Sequence, residues 1–187
     1  MLSRRRFVGA AVGGLLVLRP GTGGAQEGEF LKAEDSPRQL VPGASGATER
    51  SIDATPAFRE QVRANLERPP SLWEPSYRIF TVRQGDRVMG FVVVVEEIGK
   101  HRPITFAVGI DPDGAVHDLA VLAYREAYGG EVRERRFLTQ YAGRKASAPL
   151  MPYRDIHNIS GATLSVQSTG RAVKKAVAVL KAAGDVR

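Results

Sequence analysis

The chain has 187 residues and no cysteine, which excludes disulfides, thiolate metal sites, a thioether-linked haem and a lipid-anchored cysteine. Its 43% hydrophobic and 25% charged residues are an ordinary balance for one domain with a sizeable core. The net charge of +7 falls by four, to +3, when Arg4, Arg5, Arg6 and Arg19 of the acid-free first 25 residues are set aside, so the charge gives nucleic-acid binding little support.

Residues 1–25 read "MLSRRRFVGAAVGGLLVLRPGTGGA". A basic start, an apolar run from Val8 to Leu18 and small residues after it form the layout of a secretory signal. "SRRRFV" resembles the twin-arginine export motif, with Arg4-Arg5 as the pair and Phe7 behind it. The eleven-residue run is too short to span a bilayer. The expectation is a twin-arginine-type signal peptide over 1–25, cleaved near Ala25, and a periplasmic mature chain.

Residues 26–55 are polar and interrupted by Pro37, Pro42, Gly43 and Gly46. They read as irregular, with a short helix near Glu34 to Leu40. "TPAFREQVRANLERPP" then reads as a helix capped by Thr55 with Pro56 at its first position. Phe58, Val62 and Leu66 fall four apart on one face, and Pro69-Pro70 ends it. From Tyr77 the pattern becomes strand-like: "YRIFTV", a "QGDR" turn, the β-branched run "VMGFVVVV", then "PITFAVGI". "DPDG", Asp111 to Gly114, has the chemistry of a type I turn, and "AVHDLAVLAY" follows. Close strands with tight turns predict an antiparallel meander.

"GEVRERRFLTQYAG" predicts one helix with Val132, Leu138 and Tyr141 inward. A loop covers 143–154. The last helix spans about Leu164 to Ala183, with Val166, Gly170, Val173, Val177 and Leu180 as its apolar stripe. The resulting fold class is α+β, an antiparallel sheet with helices packed on it, in a single domain. The chain divides into the signal (1–25), an N-terminal segment with one helix (26–76) and the main domain (77–187).

One tetrapeptide occurs twice, as Ser45-Gly46-Ala47-Thr48 and as Ser160-Gly161-Ala162-Thr163. The second copy stands at the boundary of a loop and a long helix. Small residues there let backbone approach a ligand, and the free amides and macrodipole of a helix start suit a phosphate. The Thr163 hydroxyl can cap the helix, hydrogen-bond a phosphate or be esterified to one; on general preference capping leads. The first copy precedes no long helix, and Thr48 reads as a coincidence of common residues.

"YREAYGGEV" is the second candidate. Gly129-Gly130 permits an unusual backbone path, and Tyr124 and Tyr128 can flank a flat ring. Arg125 and Glu126 can pair with each other or meet the ring's polar edge, and Glu131 suits a helix's first turn. The plainer alternative is a strand-to-helix turn with solvated charges. His101, His117 and His157 lack metal-ligand spacing, and no Walker A, G-x-S-x-G or G-x-G-x-x-G motif occurs. Glu96 and Glu97 are adjacent and face opposite sides of a strand. Lys174, Lys175 and Lys181 read as a wet helix face.

"ISGATLS", with the "PITFAVGIDPDGAVHDLAVLAYREAYGGEVRERRFLTQYAG" stretch upstream, resembles the FMN-binding domain family. That family includes the C subunit of the sodium-translocating NADH:quinone reductase, the G subunit of the Rnf complex and short exported flavoproteins. The resemblance spans about 77–183 and implies FMN as cofactor. It implies a phosphoester from FMN to Thr163, installed from FAD by a flavin transferase. Ser160, Gly161, Ala162, Leu164 and Ser165 would surround it, with Tyr124, Arg125, Glu126, Tyr128, Gly129 and Glu131 as the second wall. One position departs: the family's Asp six residues before the threonine is His157 here, with Asp155 two residues earlier. Covalent and noncovalent FMN both remain open at that point. The implied function is an exported electron-transfer flavoprotein, a carrier between redox partner proteins, with membrane contact only during export or through a partner. A flavin-dependent reductase of a small periplasmic acceptor and a flavin-free accessory domain are the alternatives.

Overall fold

The computed structural model describes residues 28–186, so the reading of residues 1–25 as a twin-arginine signal lies outside the described residues. Six strands form one antiparallel sheet: β1 (Gly28–Glu29), β2 (Gly46–Asp53), β3 (Ser76–Gln84), β4 (Arg87–Ile98), β5 (Pro103–Ile110) and β6 (Val116–Tyr124). Their order is β1-β6-β5-β4-β3-β2. The helices are α1 (Ser36–Leu40), α2 (Pro56–Ala64), α3 (Arg135–Leu138) and α4 (Thr163–Ala182). The predicted α+β class and single domain are what the chain adopts.

Strands β3 to β6 are the predicted meander, each paired with its neighbour in sequence. The 111–114 turn closes as expected: the Gly114 amide donates to the Asp111 carbonyl at 2.9 Å, and Gly114 has φ 82°. Alternation divides the strand side chains between two cores. Tyr77, Ile79, Val93, Val95, Phe106, Val108, Leu119 and Val121 face one side, where Val166, Val173, Val177 and Leu180 of α4 cover them. Phe80, Val82, Val92, Ala107, Ala120 and Leu122 face the other, covered by Leu40 and Val41 at the end of α1. Burial on both faces explains why β4 reads as a continuous apolar run.

Three expectations are corrected. Residues 46–53 are not irregular: they form edge strand β2, paired with β3 from Gly46↔Arg83 to Asp53↔Ser76. This strand is almost wholly exposed, so it carries no apolar alternation to read. It is held by its ladder and by cross-strand pairs such as Arg78 Nε to Glu49 Oε1 at 2.5 Å. Thr48 stands on this strand opposite Thr81, not at the start of a helix. The helix expected over "GEVRERRFLTQYAG" is broken into a 3₁₀ turn (Gly130–Arg133), α3 and a second 3₁₀ turn (Thr139–Tyr141), with Glu134 extended between the first two. Val132, Phe137, Leu138 and Tyr141 are all buried. In one straight helix Val132 and Tyr141 would point about 180° apart, so the chain kinks to bury both.

Lys175 is the third. It is fully buried rather than on a wet face. Its ammonium lies 2.9 Å from Glu74 Oε2 and 3.3 Å from Glu97 Oε1, and it donates to the Glu96 carbonyl at 2.5 Å. Glu74 also accepts from the Glu96 amide at 2.6 Å. The cluster pins the 71–75 loop and α4 to β4, and satisfies a charge that burial alone would penalise.

Candidate functional site

Gly161, with φ 79°, turns the chain into α4. Ala162 is the N-cap residue, and no side chain caps the helix. The first intrahelical bond runs from the Val166 amide to the Ala162 carbonyl at 3.0 Å, which leaves the amides of Thr163, Leu164 and Ser165 at the positive end of a 20-residue helix. The capping role that general preference gives Thr163 is therefore not the one it has. Thr163 is already helical, and its Oγ1 accepts a hydrogen bond from Asn158 Nδ2 at 2.9 Å. Small residues, uncapped amides and a hydroxyl at one helix start fit a phosphate group.

The two segments singled out in the sequence meet here. Gly129 has φ 83°, and a Cβ on it would stand 3.0 Å from Ser165 Oγ and Tyr124 Oη and 3.1 Å from Ala162 Cβ. The residue has to be glycine on both counts. Tyr124 donates its only proton to the Tyr128 carbonyl at 2.5 Å. Ser165, 3.0 Å away, is therefore the donor in its bond to Tyr124. Burial pushes the Tyr124 hydroxyl pKa up, so it stays a neutral donor.

Around this centre the surface is apolar. Tyr128 and Tyr153 are 77% and 78% exposed, and Leu164 is exposed too. Phe30 completes the group: the Arg133 guanidinium lies 4.0 Å from its ring and 6.0 Å from that of Tyr124. These four are the exposed large hydrophobic residues among those described, and all are tied to one end of the sheet. Flat rings held open to solvent suit a planar aromatic ligand or an apolar partner surface.

Arg125 and Glu126 do not pair with each other. Arg125 Nη1 donates to Thr105 Oγ1 at 2.9 Å and to the Pro103 carbonyl at 3.2 Å, 3.7 Å from Glu96. Glu126 is buried and accepts from the His101 and Arg102 amides at 2.5 and 2.9 Å, so it closes the β4–β5 turn. Burial works against its charge, but the amides of Arg102, His101 and Lys100 outweigh it and hold the carboxyl below its ordinary range. Glu131 is exposed in the first turn of the 130–133 segment. Ser160 and Gly161 are exposed at the helix entrance.

His157 is exposed, and its amide donates to Gln140 Oε1 at 2.7 Å. Asp155 does not stand in for the carboxylate missing there. Its oxygens accept from the Met151 and Leu150 amides at 2.9 and 3.1 Å and face Arg144 at 3.4 Å. Burial resists its charge, but these partners prevail and depress its pKa. Asp155 thus braces the loop before α4. Leu150 and Tyr153 in that loop have φ 52° and 63°, a costly conformation for side chains with a Cβ.

Sequence reasoning missed Asn158, for which adjacency to the tetrapeptide was the only signal. It also misread Gly170 as a stripe residue. A Cβ there would lie 2.1 Å from the Leu150 carbonyl, so Gly170 is where the loop seats directly on α4. Beside that contact a cleft of about 270 Å³ runs along α4, lined by Gln167, Arg171, Lys174, Arg68, Arg154 and Met151 among others. Arg171 is paired with Glu97 and Lys174 with Glu67, while Arg68 and Arg154 stand exposed at the cleft.

Residues 99–178 match the model of the FMN-binding domain family. FMN is its cofactor, and the match takes in both site segments. A curated relative is the G subunit of a proton-translocating ferredoxin:NAD(+) oxidoreductase complex from Clostridium ljungdahlii. It is 26% identical over 105 residues, which are 52% of this chain and 57% of that protein. The match thus spans little more than half of the relative's length. Among solved structures, NqrC of Shewanella oneidensis superposes with a TM-score of 0.55 at 15% identity, over 78% of this chain and 84% of that one. It shares the fold.

Proposed function

We propose that this chain is an exported electron-transfer flavoprotein whose FMN is joined by a phosphoester to Thr163 Oγ1. The observation that carries this is the uncapped start of α4, with a threonine hydroxyl among free amides. The relative from a ferredoxin:NAD(+) oxidoreductase complex supports electron transfer between protein partners. Bound FMN supplies the redox chemistry; the protein supplies attachment, orientation and electrostatics. The amides of Thr163, Leu164 and Ser165 hold the phosphate, Ser165 and Tyr124 brace the wall behind it, and Tyr128, Tyr153 and Leu164 offer apolar surface. The basic leader motif supports export by the twin-arginine machinery, and Thr163 supports loading by a flavin transferase.

Intact mass and fluorescence on a denaturing gel test the attachment. Protein made with the transferase gains FMN less one water and stays fluorescent. Thr163→Ala loses that mass and Thr48→Ala keeps it. A yellow native protein with a dark denatured band would mean noncovalent FMN, the outcome that His157 favours, and His157→Asp would then raise covalent loading. A colourless protein would sink the reading, leaving a flavin-free accessory domain. For export, Arg4→Lys with Arg5→Lys abolishes periplasmic accumulation; undiminished accumulation refutes the twin-arginine route.

The cleft beside α4 favours one second reading, a flavin-dependent reductase of a small anionic acceptor held by Arg68 and Arg154. Turnover of such an acceptor without a protein partner, lost in the Arg68→Ala, Arg154→Ala double variant, would select it.

A further inference from the structure

We propose that Asn158 is the positioning residue for the Thr163 hydroxyl, holding that oxygen both as a free alcohol and as an ester. This rests on Thr163 being the attachment point. Asn158 Nδ2 donates to Thr163 Oγ1 at 2.9 Å and to the Tyr153 hydroxyl at 2.6 Å. Its Oδ1 is buried and has no hydrogen-bond partner. A buried carbonyl oxygen left unpartnered while the nitrogen of the same carboxamide faces two hydroxyls calls for a functional account.

The account lies in what esterification does to Oγ1. A free hydroxyl both donates and accepts; an ester oxygen only accepts. In attachment, the Oγ1–P bond forms, the pyrophosphate P–O bond of FAD breaks, AMP leaves and the hydroxyl proton departs to solvent. A partner that keeps contact throughout must accept before the reaction and donate after it. A carboxamide does both by turning about its last torsion. With Oδ1 toward the two hydroxyls, it accepts from Thr163 and Tyr153. With Nδ2 toward them, the orientation seen here on the free hydroxyl, it donates to Oγ1 and can go on donating once that oxygen has lost its proton. A carboxylate serves the first state and then faces the phosphodiester with like charge; an aliphatic side chain serves neither.

The mounting is rigid, as positioning requires. The loop that carries Asn158 is fastened to α4 by the Gly170–Leu150 contact, braced by Asp155, and closed by the Tyr153 amide donating to the Ile156 carbonyl at 3.2 Å. Asn158 does not act as a base. It aims the Oγ1 lone pair.

The test is loading of purified apoprotein by a flavin transferase over a range of FAD concentrations, followed by intact mass. Asn158→Leu is expected to load at least about tenfold more slowly at saturating FAD, since small misplacements of a reacting atom are costly. Its KM for FAD and its melting temperature stay near wild type. Asn158→Asp, which accepts but cannot donate, loads faster than the leucine variant, and the phosphorus-31 resonance of its ester is displaced from wild type. Loading of Asn158→Leu at the wild-type rate would overturn the proposal, as would a defect confined to KM. If Asn158→Leu does not fold, the aspartate variant decides by the same rate and resonance. Retention of the flavin mass in Thr163→Ala would sink the attachment reading itself; normal loading of Asn158→Leu beside a flavin-free Thr163→Ala sinks this inference alone.

Discussion

Replacing Gly170 with alanine adds one methyl group where α4 meets the 150–156 loop. In an exposed helix interior that change stabilises by about 1 kcal/mol. Here the new Cβ falls 2.1 Å from the Leu150 carbonyl oxygen, where ordinary contact begins at 3.4 Å, so backbone must retreat by 1.3 Å. Leu150 cannot retreat alone. Its side chain is buried and its φ is 52°. Its amide is held by Asp155, while the next carbonyl, of Met151, accepts from the amides of Arg154, Asp155 and Ile156. Overpacking against such a segment costs about 1–3 kcal/mol. A 2.1 Å contact with backbone belongs in the upper part of that range, about 2–3 kcal/mol; allowing for the helix gain of about 1 kcal/mol, the net expectation is a loss of about 1–2 kcal/mol, or roughly 2–8 °C in melting temperature for a chain of this size. Because the loop carries Asn158, flavin loading should slow as well. Urea denaturation read by circular dichroism gives the first quantity and intact mass against time the second. A Gly170→Ala variant as stable as wild type, loading at the same rate, would show that the loop is not seated on α4 as described.

Three further expectations follow from buried or strained groups. Lys175→Met leaves Glu74 without its cation and Glu97 with Arg171 alone, and should cost about 3–5 kcal/mol; a loss under about 1 kcal/mol in a urea titration would mean the cluster is solvated. Glu126→Gln should destabilise at pH 7 by about 2 kcal/mol through weakened charge-assisted bonds. Since the folded carboxyl titrates below its unfolded value of about 4.3, that difference is present above pH 4.3 and fades as pH falls through the folded value; an equal deficit at pH 7 and pH 3 would refute the role. Gly114→Val should cost on the order of 1 kcal/mol from its positive φ alone, because no atom lies within 4 Å of the added Cβ; an unchanged melting midpoint would contradict the turn.

The meander and α4 were legible because their burial is periodic. Alternating strands, the Asp111–Gly114 turn and the stripe from Val166 to Leu180 each express one physical demand in a short window. Strand β2 was not, because an exposed edge strand is chosen by its partner's backbone rather than by its own side chains. Lys175 was misread for a related reason. Nothing near it in sequence shows that Glu74 and Glu97 come from a loop and a strand to meet it. At the site, the tetrapeptide and the Gly129-Gly130 segment were both visible, but their contact through Ser165 and Tyr124 was not. Arg125 and Glu126 read as candidate ligand groups; their hydrogen bonds to residues 101–105 of the neighbouring strand and its turn were not visible in the sequence.

The path of the N-terminal segment has a kinetic consequence. From β1, beside β6, the chain crosses one face of the sheet as α1 and returns as β2 beside β3. Strands β3 to β6 pair only with sequence neighbours, whereas β1 and β6 are about a hundred residues apart, so loop closure favours the meander forming first and the crossing segment docking last. The reverse order should govern opening. Releasing residues 28–53 uncovers Phe80, Val82, Val92, Ala107 and Leu122 without breaking any pairing among β3–β6. The half-open chain would keep its α4 core, lose Phe30 from its apolar end, and present a bare apolar sheet to its neighbours, a form in which self-association competes with closure.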